Sequence, residues 1–284
     1  VFLESKKFIN SSVLRACPNC DCRDYTLRIR EGDFLVVRCK SCGLTFLLNP
    51  PDESAIYEDY YKIEFKGDDY REDSPLGHLR EIFEINEQRT AFIKKFEGEV
   101  DNFKVLDIGC GSGLFLKSCK NAGLRGEGID VSSNALKFAR DEFGLEVFNK
   151  TTDELISEGK RYDVITMWHV LEHIMEPTIE LRKIKELLTP RGYLVAEVPN
   201  FNSIKFKLSG KKWKGGNHPL YHRSFFTSST LRETLIKGGF RDIKRINFSY
   251  PLSNKNFFYN LSKVVFNVFG ADAFLNFIAR NTND

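Results

Sequence analysis

The chain has 284 residues, and 42 lysine and arginine residues against 39 aspartate and glutamate residues give it a net charge of +3. A total so close to zero gives no strong electrostatic bias towards nucleic acid. No apolar run approaches the roughly 18 residues of a membrane-spanning helix, and no secretion signal is recognisable, so we expect a cytoplasmic protein without a membrane span. The seven cysteines then point to a reducing compartment and to a metal site.

Two cysteine pairs near the N-terminus have the spacing of a four-thiolate zinc site, C-x2-C-x18-C-x2-C. They are Cys17, Cys20, Cys39 and Cys42. Between the pairs, residues 25–30 and 34–38 alternate like the arms of a β-hairpin with its turn at residues 32–33. Four cysteine ligands leave no open coordination position, so this zinc ion would be structural. Two alternatives stay open: Cys22 replaces Cys20 as a ligand, or the pairs form redox disulfides, which this spacing disfavours.

Residues 51–100 are predicted to link this module to the main domain. Residues 53–75 are acidic and rich in tyrosine, and we interpret the Asn-Pro-Pro sequence before them as the start of a linker. Apolar residues then recur at helical spacing over residues 76–97, which predicts a helix that leads into the core.

The central motif of the chain is KVLDIGCGSGLFL at residues 104–116. Its apolar start predicts a buried strand and its end opens a helix, while three glycines between them allow a tight turn and the close approach of a ligand. The glycines are Gly109, Gly111 and Gly113. Asp107 places a fixed negative charge near the end of the strand, and the amides of the helix N-terminus face the same place. Leu114 stands where a dinucleotide-binding fingerprint needs its third glycine, and a P-loop's Gly-Lys-Ser/Thr ending is absent, so neither of those sites is predicted.

Strands and helices alternate after this motif, which predicts an α/β fold with a mainly parallel, doubly wound sheet. The predicted parallel strands are residues 105–108, 126–129, 145–148, 162–167 and 193–198. The predicted helices are residues 113–122, 132–142, 153–158, 170–188 and 228–238. Residues 240–250 and 273–280 supply two further strands. Asp130 ends the second parallel strand, where an acid is placed to hydrogen-bond both hydroxyls of a ribose.

A second motif, TMWHVLEHIMEP at residues 166–177, contains three potential metal ligands. His169, Glu172 and His173 match the H-x-x-E-H pattern of inverted zinc peptidases. We reject that function because the motif follows a strand of the predicted sheet and no third ligand suggests itself downstream. His173, one turn into the helix predicted for residues 170–188, is instead expected to make a structural hydrogen bond.

These motifs, with VPN at residues 198–200 and HRSFFTSSTLRETLIKGGF at residues 222–240, resemble class I S-adenosylmethionine-dependent methyltransferases. With the four-cysteine module in front, the chain is similar to bacterial small-molecule and deoxysugar methyltransferases over nearly its whole length. The resemblance implies a seven-stranded sheet whose last strand is antiparallel. It also implies three parts: a zinc-ribbon-like module at residues 1–50, the linker and helix at residues 51–100, and a methyltransferase domain at residues 101–284.

The resemblance further implies S-adenosyl-L-methionine as the cofactor, beside the structural zinc ion. Trp168 and His169 resemble the segment that forms the wall around the methionyl part of the cofactor, and the loop at Thr151 would supply adenine contacts. Asp130 would bind the ribose. The full set of residues implied for cofactor binding is Asp107, Gly109, Cys110, Gly111, Gly113, Asp130, Val131, Thr151, Trp168 and His169.

Methyl transfer to a hydroxyl, or to a carbon beside a carbonyl, needs a base that removes a proton. His222 matches the histidine that precedes the Phe-Phe-Thr segment in similar methyltransferases, so we predict it as the catalytic base, with His218 and Tyr221 as alternatives. A second interpretation of His222 is that it ties its loop to the sheet. The lysine-rich stretch within residues 201–227 is either a solvated loop or a lid over an anionic small-molecule acceptor, such as a nucleotide-linked sugar.

Two other functions stay open from the sequence. The first is an RNA methyltransferase that grips nucleic acid with its zinc module; the small net charge and the lack of a basic stripe in that module argue against it. The second is an inactive interaction module, which the intact glycine motif and Asp130 disfavour. Residues 254–270 predict an apolar helix packed on the sheet, with a dimer contact or a membrane-surface face as alternatives. The oligomeric state is left open, with a homodimer among the options.

Overall fold

A computed structural model of the protein describes residues 14–51, 78–98, 103–203, 206, 221–248 and 273–282. In chain order the strands are β1 (Tyr25–Glu31), β2 (Phe34–Cys39), β3 (Thr45–Leu47), β4 (Lys104–Ile108), β5 (Arg125–Ile129), β6 (Glu146–Phe148), β7 (Tyr162–Trp168), β8 (Leu188–Pro199), β9 (Ser224–Phe225), β10 (Arg241–Ile246) and β11 (Phe274–Arg280). The helices are α1 (His78–Lys94), α2 (Leu114–Asn121), α3 (Ser133–Phe143), α4 (Thr152–Ser157), α5 (Pro177–Leu187) and α6 (Ser228–Lys237).

Seven of these strands form one sheet with the order β10-β11-β8-β7-β4-β5-β6. The strands from β4 to β8 pair in parallel, and β11 runs antiparallel to both of its neighbours. This confirms the predicted seven-stranded α/β sheet with an antiparallel last strand. The chain proceeds from β4 to one edge of the sheet and then returns to pair β7 on the other side of β4. Open α/β sheets bind their ligands at such a switch point, beyond the carboxyl ends of the strands.

The segment that follows β7 differs from the helix predicted for residues 170–188. Leu171–His173 form a short 3-10 turn, and α5 begins only at Pro177. Proline suits the first position of a helix because it lacks an amide hydrogen, and it disfavours the helical conformation in the residue before it. Glu176 accordingly has φ −119° and ψ 72°. The prediction that His173 lies inside a helix is therefore wrong, since it lies on the turn that connects β7 to α5.

The N-terminal module is a four-stranded sheet with the order β1-β2-β3-β9. Strands β1 and β2 form the predicted hairpin, in which Glu31 is opposite Phe34 and Gly32 takes φ 58° in the turn. Strand β9 comes from far along the chain, and Phe225 pairs with Thr45 of β3. The sheet of the module therefore draws its last strand from outside the predicted limits of residues 1–50.

The module also shares its apolar core with the main domain. Its buried side chains Val37, Leu44 and Phe46 belong to the same cluster as Leu171 on the 3-10 turn and Phe226 after β9. Such burial stabilises the contact by roughly 25 cal/mol for each Å² of apolar surface removed from water. The module is thus packed on the part of the domain that follows β7.

Parts of two predicted segments lie outside the described residues. These parts are the whole of residues 254–270 and, within residues 201–227, residues 204–205 and 207–220. Within the described part of the chain, no helix combines the length and the apolar character needed to cross a membrane.

Candidate active site

The turn after β4 is built from three glycines, each with a positive φ that favours glycine. The φ angles of Gly109, Gly111 and Gly113 are 71°, 52° and 78°. A Cβ atom on Gly109 would lie 2.4 Å from Val170, and one on Gly113 would lie 2.6 Å from Leu145, so these two glycines permit close packing. A Cβ atom on Gly111 would meet no atom within 4 Å. The turn therefore has an open face at Gly111, where a ligand can approach the backbone.

Asp130, directly after β5, points its carboxylate at this open face. The amide of Gly111 donates to Oδ2 and the amide of Ser132 donates to Oδ1, each at 2.8 Å. Burial raises the pKa of Asp130, and these amides oppose that shift. Each carboxylate oxygen has a second lone pair, so Asp130 can still accept hydrogen bonds from two neighbouring hydroxyls. The next side chain, Val131, is 58% exposed and presents an apolar surface beside the acid.

Asp107 and Cys110 lie at the base of the glycine turn and face the protein interior. Asp107 is 2% exposed, and the hydroxyl of Thr166 on β7 donates to its Oδ1 at 2.6 Å. Burial raises the pKa of Asp107 to about 7. Burial likewise raises the pKa of the Cys110 thiol, which is therefore not a nucleophile at neutral pH.

Trp168 ends β7 inside a group of aromatic and charged side chains. Its ring centroid lies 5.3 Å from that of Phe115 and 5.8 Å from that of Phe248. The guanidinium of Arg89 lies 4.2 Å over the indole and donates to Oε1 of Glu197 at 2.5 Å. Glu197 is fully buried on β8, and this ion pair compensates for its desolvation. Among the described residues the buried Nε1 of Trp168 has no hydrogen-bond partner, so this donor is available to a ligand.

His169 joins two buried glutamates. It has a positive φ of 59°, and its amide donates to the carbonyl of Glu197 at 2.9 Å. In the side chain, Nε2 lies 2.9 Å from Oε1 of Glu197 and Nδ1 lies 3.5 Å from Oε1 of Glu172. Burial favours a lower pKa for His169, but hydrogen bonding to Glu172 and Glu197 outweighs it and raises the pKa to about 9. His169 is therefore a cation at neutral pH.

A cluster of Glu172, His173 and His222 lies next to His169, and one ligand atom from each lies within 4.8 Å of the others. The rings of His173 and His222 contact each other edge to face at 4.7 Å, and Nδ1 of His173 lies 2.9 Å from the carbonyl oxygen of Tyr221. Burial lowers the pKa of His222 to about 4, so His222 is neutral at pH 7. Glu172 is 1% and His222 is 4% exposed, whereas the side chain of His173 is 37% exposed. His173 is therefore the member of this cluster that is most exposed to solvent.

Of the other predicted site residues, Thr151 and Tyr221 have contacts within the protein, and His218 lies outside the described residues. Thr151 is the N-cap of α4, where its hydroxyl donates to the carboxylate of Glu154 at 2.8 Å and accepts from the amide of Glu154 at 3.3 Å. This is a capping box, and a contact from Thr151 to adenine stays a prediction. His218 lies outside the described residues. Tyr221, an alternative base, contributes its carbonyl to the cluster.

The four predicted cysteines gather at one point of the N-terminal module. The sulfur atoms of Cys17 and Cys42 lie 3.5 Å apart, as do those of Cys20 and Cys39, and all four lie within 4.8 Å of one another. A tetrahedral zinc ion separates its sulfur ligands by about 3.8 Å, so this set fits zinc. All seven cysteines of the chain are free, which disfavours the disulfide alternative. Cys22 lies outside the set and accepts a hydrogen bond from the amide of Asp24.

The charges around the four sulfurs also suit a metal site. The hydrogen bond between Cys17 and Cys42 lowers the pKa of Cys42 to about 5 and raises that of Cys17. Lys237 on α6 donates to the carbonyl of Asn19 at 3.0 Å, and its positive charge acts on Cys20 and Cys42. A zinc ion with four thiolates carries two net negative charges, which Lys237 partly offsets from the main domain.

Comparison with known proteins gives the family. A family model described as a methyltransferase domain matches residues 74–245. The chain belongs to this methyltransferase-domain family. The methyltransferase is similar to the ubiquinone biosynthesis O-methyltransferase of Cereibacter sphaeroides, at 26% identity over 213 residues that cover 64% of this chain and 85% of that protein. The Bordetella avium protein of the same name is 30% identical over 178 residues, 58% of this chain and 73% of its own.

The match to a third relative is shorter, and solved structures share the fold. The ubiquinone biosynthesis O-methyltransferase of Leptothrix cholodnii is 29% identical over 142 residues, which cover 48% of this chain and 60% of that protein. A methyltransferase structure from Archaeoglobus fulgidus has a TM-score of 0.51 at 21% identity and covers 81% of this chain and 100% of its own. One from Listeria monocytogenes has a TM-score of 0.51 at 18% identity, over 72% and 98% of the two chains. The methyltransferase thus has the class I fold, and S-adenosylmethionine is the cofactor of its family.

The described residues fit that cofactor. The open face at Gly111 lets a ligand reach the backbone, and Asp130 keeps lone pairs for two hydroxyls. Val131 adds an exposed apolar surface, and Trp168 adds an unpaired buried donor. When bound, the cofactor supplies an electrophilic methyl group on a sulfonium.

Sequence reasoning missed Arg89 and Glu197. Glu197 had a usable signal, because it stands inside the apolar strand sequence YLVAEVP, and a buried carboxylate in such a strand needs a partner. Arg89 lies among many polar residues of α1, and only the fold brings it to Glu197.

Proposed function

We propose that the methyltransferase transfers the methyl group of S-adenosylmethionine to a hydroxyl oxygen of a small-molecule acceptor. Oxygen is favoured over carbon and nitrogen because the similar curated relatives are named O-methyltransferases. The observation that carries the proposal is the cluster of Glu172 and His173, on the 3-10 turn that follows β7, with His222, which lies before β9. Val170, which packs against Gly109, lies two residues before Glu172 in the chain, and this supports an acceptor site close to the cofactor.

His222 remains the proposed base. Because the pKa of His222 lies near 4, its ring is neutral at pH 7 and has a lone pair for the proton of the acceptor. Such a low pKa alone would make it a weak base. The carboxylate of Glu172 acts on His222 in the opposite sense and stabilises the imidazolium that proton transfer would form. In the carboxylate–histidine pairs of other enzymes a hydrogen bond joins the two groups, whereas Glu172 acts on His222 through its charge alone.

The acceptor is proposed to be anionic, for example a nucleotide-linked sugar or another precursor of a polysaccharide or secondary metabolite. The support is the lysine content of residues 201–227, which include Lys205, Lys207, Lys211, Lys212 and Lys214. RNA is the less favoured acceptor, because the chain carries a net charge of only +3.

The test is a methyl-transfer assay with labelled cofactor against a nucleotide-sugar pool and, separately, against RNA. Once an acceptor is known, His222→Asn should lower turnover roughly 10²-fold with cofactor affinity intact, because asparagine keeps hydrogen bonding but removes the base. Asp153→Asn is the control, since Asp153 is an exposed acid paired with Lys183. Near-normal turnover of His222→Asn would mean that His218 or Tyr221 is the base, or that no base from the protein is needed.

A further inference from the structure

We propose that Glu172, His173 and His222 bind a divalent transition-metal ion, Zn²⁺ or one of similar ligand preference, at a site distinct from the four cysteines. One donor atom from each residue lies within 4.8 Å of the other two. Glu172 is 1% exposed, and apart from Nδ1 of His169, which lies 3.5 Å from Oε1, its carboxylate oxygens have no hydrogen-bond partner among the described residues. Burial of a carboxylate is costly unless hydrogen bonds and positive charge compensate it, and beside the His169 cation a metal ion would supply a bond to the oxygen that lacks a partner.

The hydrogen bond of His173 prepares it as a metal ligand. Its Nδ1 lies 2.9 Å from the carbonyl oxygen of Tyr221. A carbonyl oxygen only accepts, so Nδ1 must carry the hydrogen, and the neutral ring then has its lone pair on Nε2. Nε2 is the atom that lies 4.0 Å from Oε1 of Glu172. Metal-binding histidines typically donate their other ring N–H to a carbonyl or a carboxylate in this way, which fixes the tautomer and the ring orientation.

The backbone holds the two ligand-bearing segments together. Glu172 and His173 lie on the 3-10 turn, and His222 lies before β9. The amide of Arg223 donates to the carbonyl of Glu172 at 2.8 Å, and the amide of Leu47 donates to the carbonyl of Arg223 at 3.0 Å. Ligands around a tetrahedral ion with bonds of about 2.1 Å lie about 3.4 Å apart.

The donor set indicates the type of metal. Two imidazoles and one carboxylate suit Zn²⁺, Co²⁺ or Fe²⁺ better than Mg²⁺ or Ca²⁺, which prefer oxygen ligands only. Three protein ligands leave at least one coordination position open, as in catalytic zinc sites. The positive charges of His169 and Arg223 act on His222 and oppose a further cation, so we expect weaker binding here than at the four thiolates.

The fold supplies the third ligand that the motif at residues 166–177 lacked. The motif contains His169, Glu172 and His173 without an obvious partner downstream in sequence, and the loop before β9 brings His222 next to Glu172 and His173. On the proposed function, on which this step rests, a cation here would bind the acceptor hydroxyl at its open position and lower the pKa of that hydroxyl. In the metal-bound form the lone pair of His222 would bind the cation, so His222 would be a ligand in place of the base that it is in the metal-free form, and the acceptor proton would leave to solvent.

The test is a Co²⁺ titration of the full chain with its cysteine site loaded with zinc, followed by visible absorption. We expect one additional Co²⁺ ion with weak d–d bands and without the near-ultraviolet charge-transfer band of cobalt–thiolate bonds. Glu172→Gln and His173→Gln should each weaken this binding at least about 10-fold. Glu176→Gln is the matched control, because it removes a neighbouring carboxylate that lies outside the cluster and caps no amide.

We expect the His173→Gln variant to fold, because the side chain of His173 is 37% exposed and contributes little to the core. Thermal unfolding of each variant checks that it is folded. No Co²⁺ bands in the folded wild type at millimolar metal would overturn the proposal. So would equal affinities of the wild type and both ligand variants. The Co²⁺ titration needs neither cofactor nor acceptor, so a negative result would refute the metal site and leave the proposed methyl transfer to be tested by its own assay. A protein that binds Co²⁺ but is inactive would count against the proposed function alone.

Discussion

Replacing Asp130 gives the most direct test of the cofactor site. Its carboxylate accepts the amides of Gly111 and Ser132 at 2.8 Å each, and one lone pair on each oxygen remains. Asp130→Ala should therefore remove the charge-assisted hydrogen bonds to the ribose hydroxyls, at a cost of about 1.5–3 kcal/mol. That cost corresponds to a roughly 10- to 150-fold weaker affinity for S-adenosylmethionine.

Asp130→Asn sharpens this prediction. Because both carboxylate oxygens accept backbone amides, the NH₂ group of an asparagine must face either Gly111 or Ser132, donor against donor. Asparagine should therefore bind the cofactor no better than alanine, although it is nearly the same size as aspartate. If the turn can adjust so that the amide oxygen of the Asp130→Asn variant still accepts a ribose hydroxyl, that variant would bind the cofactor more tightly than Asp130→Ala.

The assay is calorimetric titration of each variant with S-adenosylmethionine. Asp153→Asn serves as the control and should bind like the wild type, because Asp153 is exposed and pairs with Lys183. Thermal unfolding without cofactor shows whether the glycine turn survives each change. An affinity of Asp130→Ala within twofold of the wild type would remove Asp130 from the cofactor site and refute the reasoning.

Three further predictions concern metal and pH. Metal analysis should show that Cys39→Ser loses the zinc ion and that Cys22→Ser keeps it. Less than a tenth of an equivalent of zinc (roughly the background) in the wild type would refute the zinc site. The raised pKa of Asp107, about 7, means that its contribution to stability is present below pH 3.8 and lost as the pH rises through 7. Asp107→Asn keeps an oxygen that accepts the hydroxyl of Thr166, so it should raise the unfolding temperature at pH 8 but not at pH 4. An equal change in unfolding temperature at the two pH values would contradict burial as the cause of the raised pKa. The pKa of His169 is raised from 6.5 to about 9, so its contribution to stability is present below pH 6.5 and is lost as the pH rises through 9. Because solvent screens the partly exposed ring, His169→Gln should lower the free energy of unfolding by about 1 kcal/mol at pH 6 and by less at pH 10. A loss of stability that does not depend on pH would exclude the ion pairs as its cause.

The features that could be predicted from the sequence depend on short spacings. The glycine turn was predictable because a strand, a positive φ and a helix start are encoded within KVLDIGCGSGLFL. The cysteine set was predictable because two C-x2-C knuckles and a hairpin between them bring four sulfurs together. The seven-stranded sheet followed from the alternation of strands and helices, together with the family resemblance.

The features that sequence reasoning missed depend on contacts between distant segments. The pairing of Arg89 with Glu197 joins α1 to β8, and no local pattern encodes it. The helix predicted for residues 170–188 is present over Pro177–Leu187, but its predicted start at residue 170 was wrong, because apolar periodicity continues across Pro177 although proline there marks the start of a helix. The rejection of a metal ligand set around Glu172 depended on the lack of a third ligand nearby in sequence, and the fold provides a candidate from the loop before β9.

The zinc module has a structural role that follows from its contacts with this loop. A module that only recruited a partner could be joined by a linker, without a shared core or shared strands. Here β3 pairs with β9, and the amide of Leu47 in β3 donates a hydrogen bond to the carbonyl of Arg223. Arg223 in turn donates its amide to Glu172, which fixes His222 against the 3-10 turn after β7. On the proposed function, a zinc ion on the four cysteines would therefore stabilise a sheet whose edge positions the acceptor side of the methyltransferase, and the module would serve as part of the scaffold of the active site.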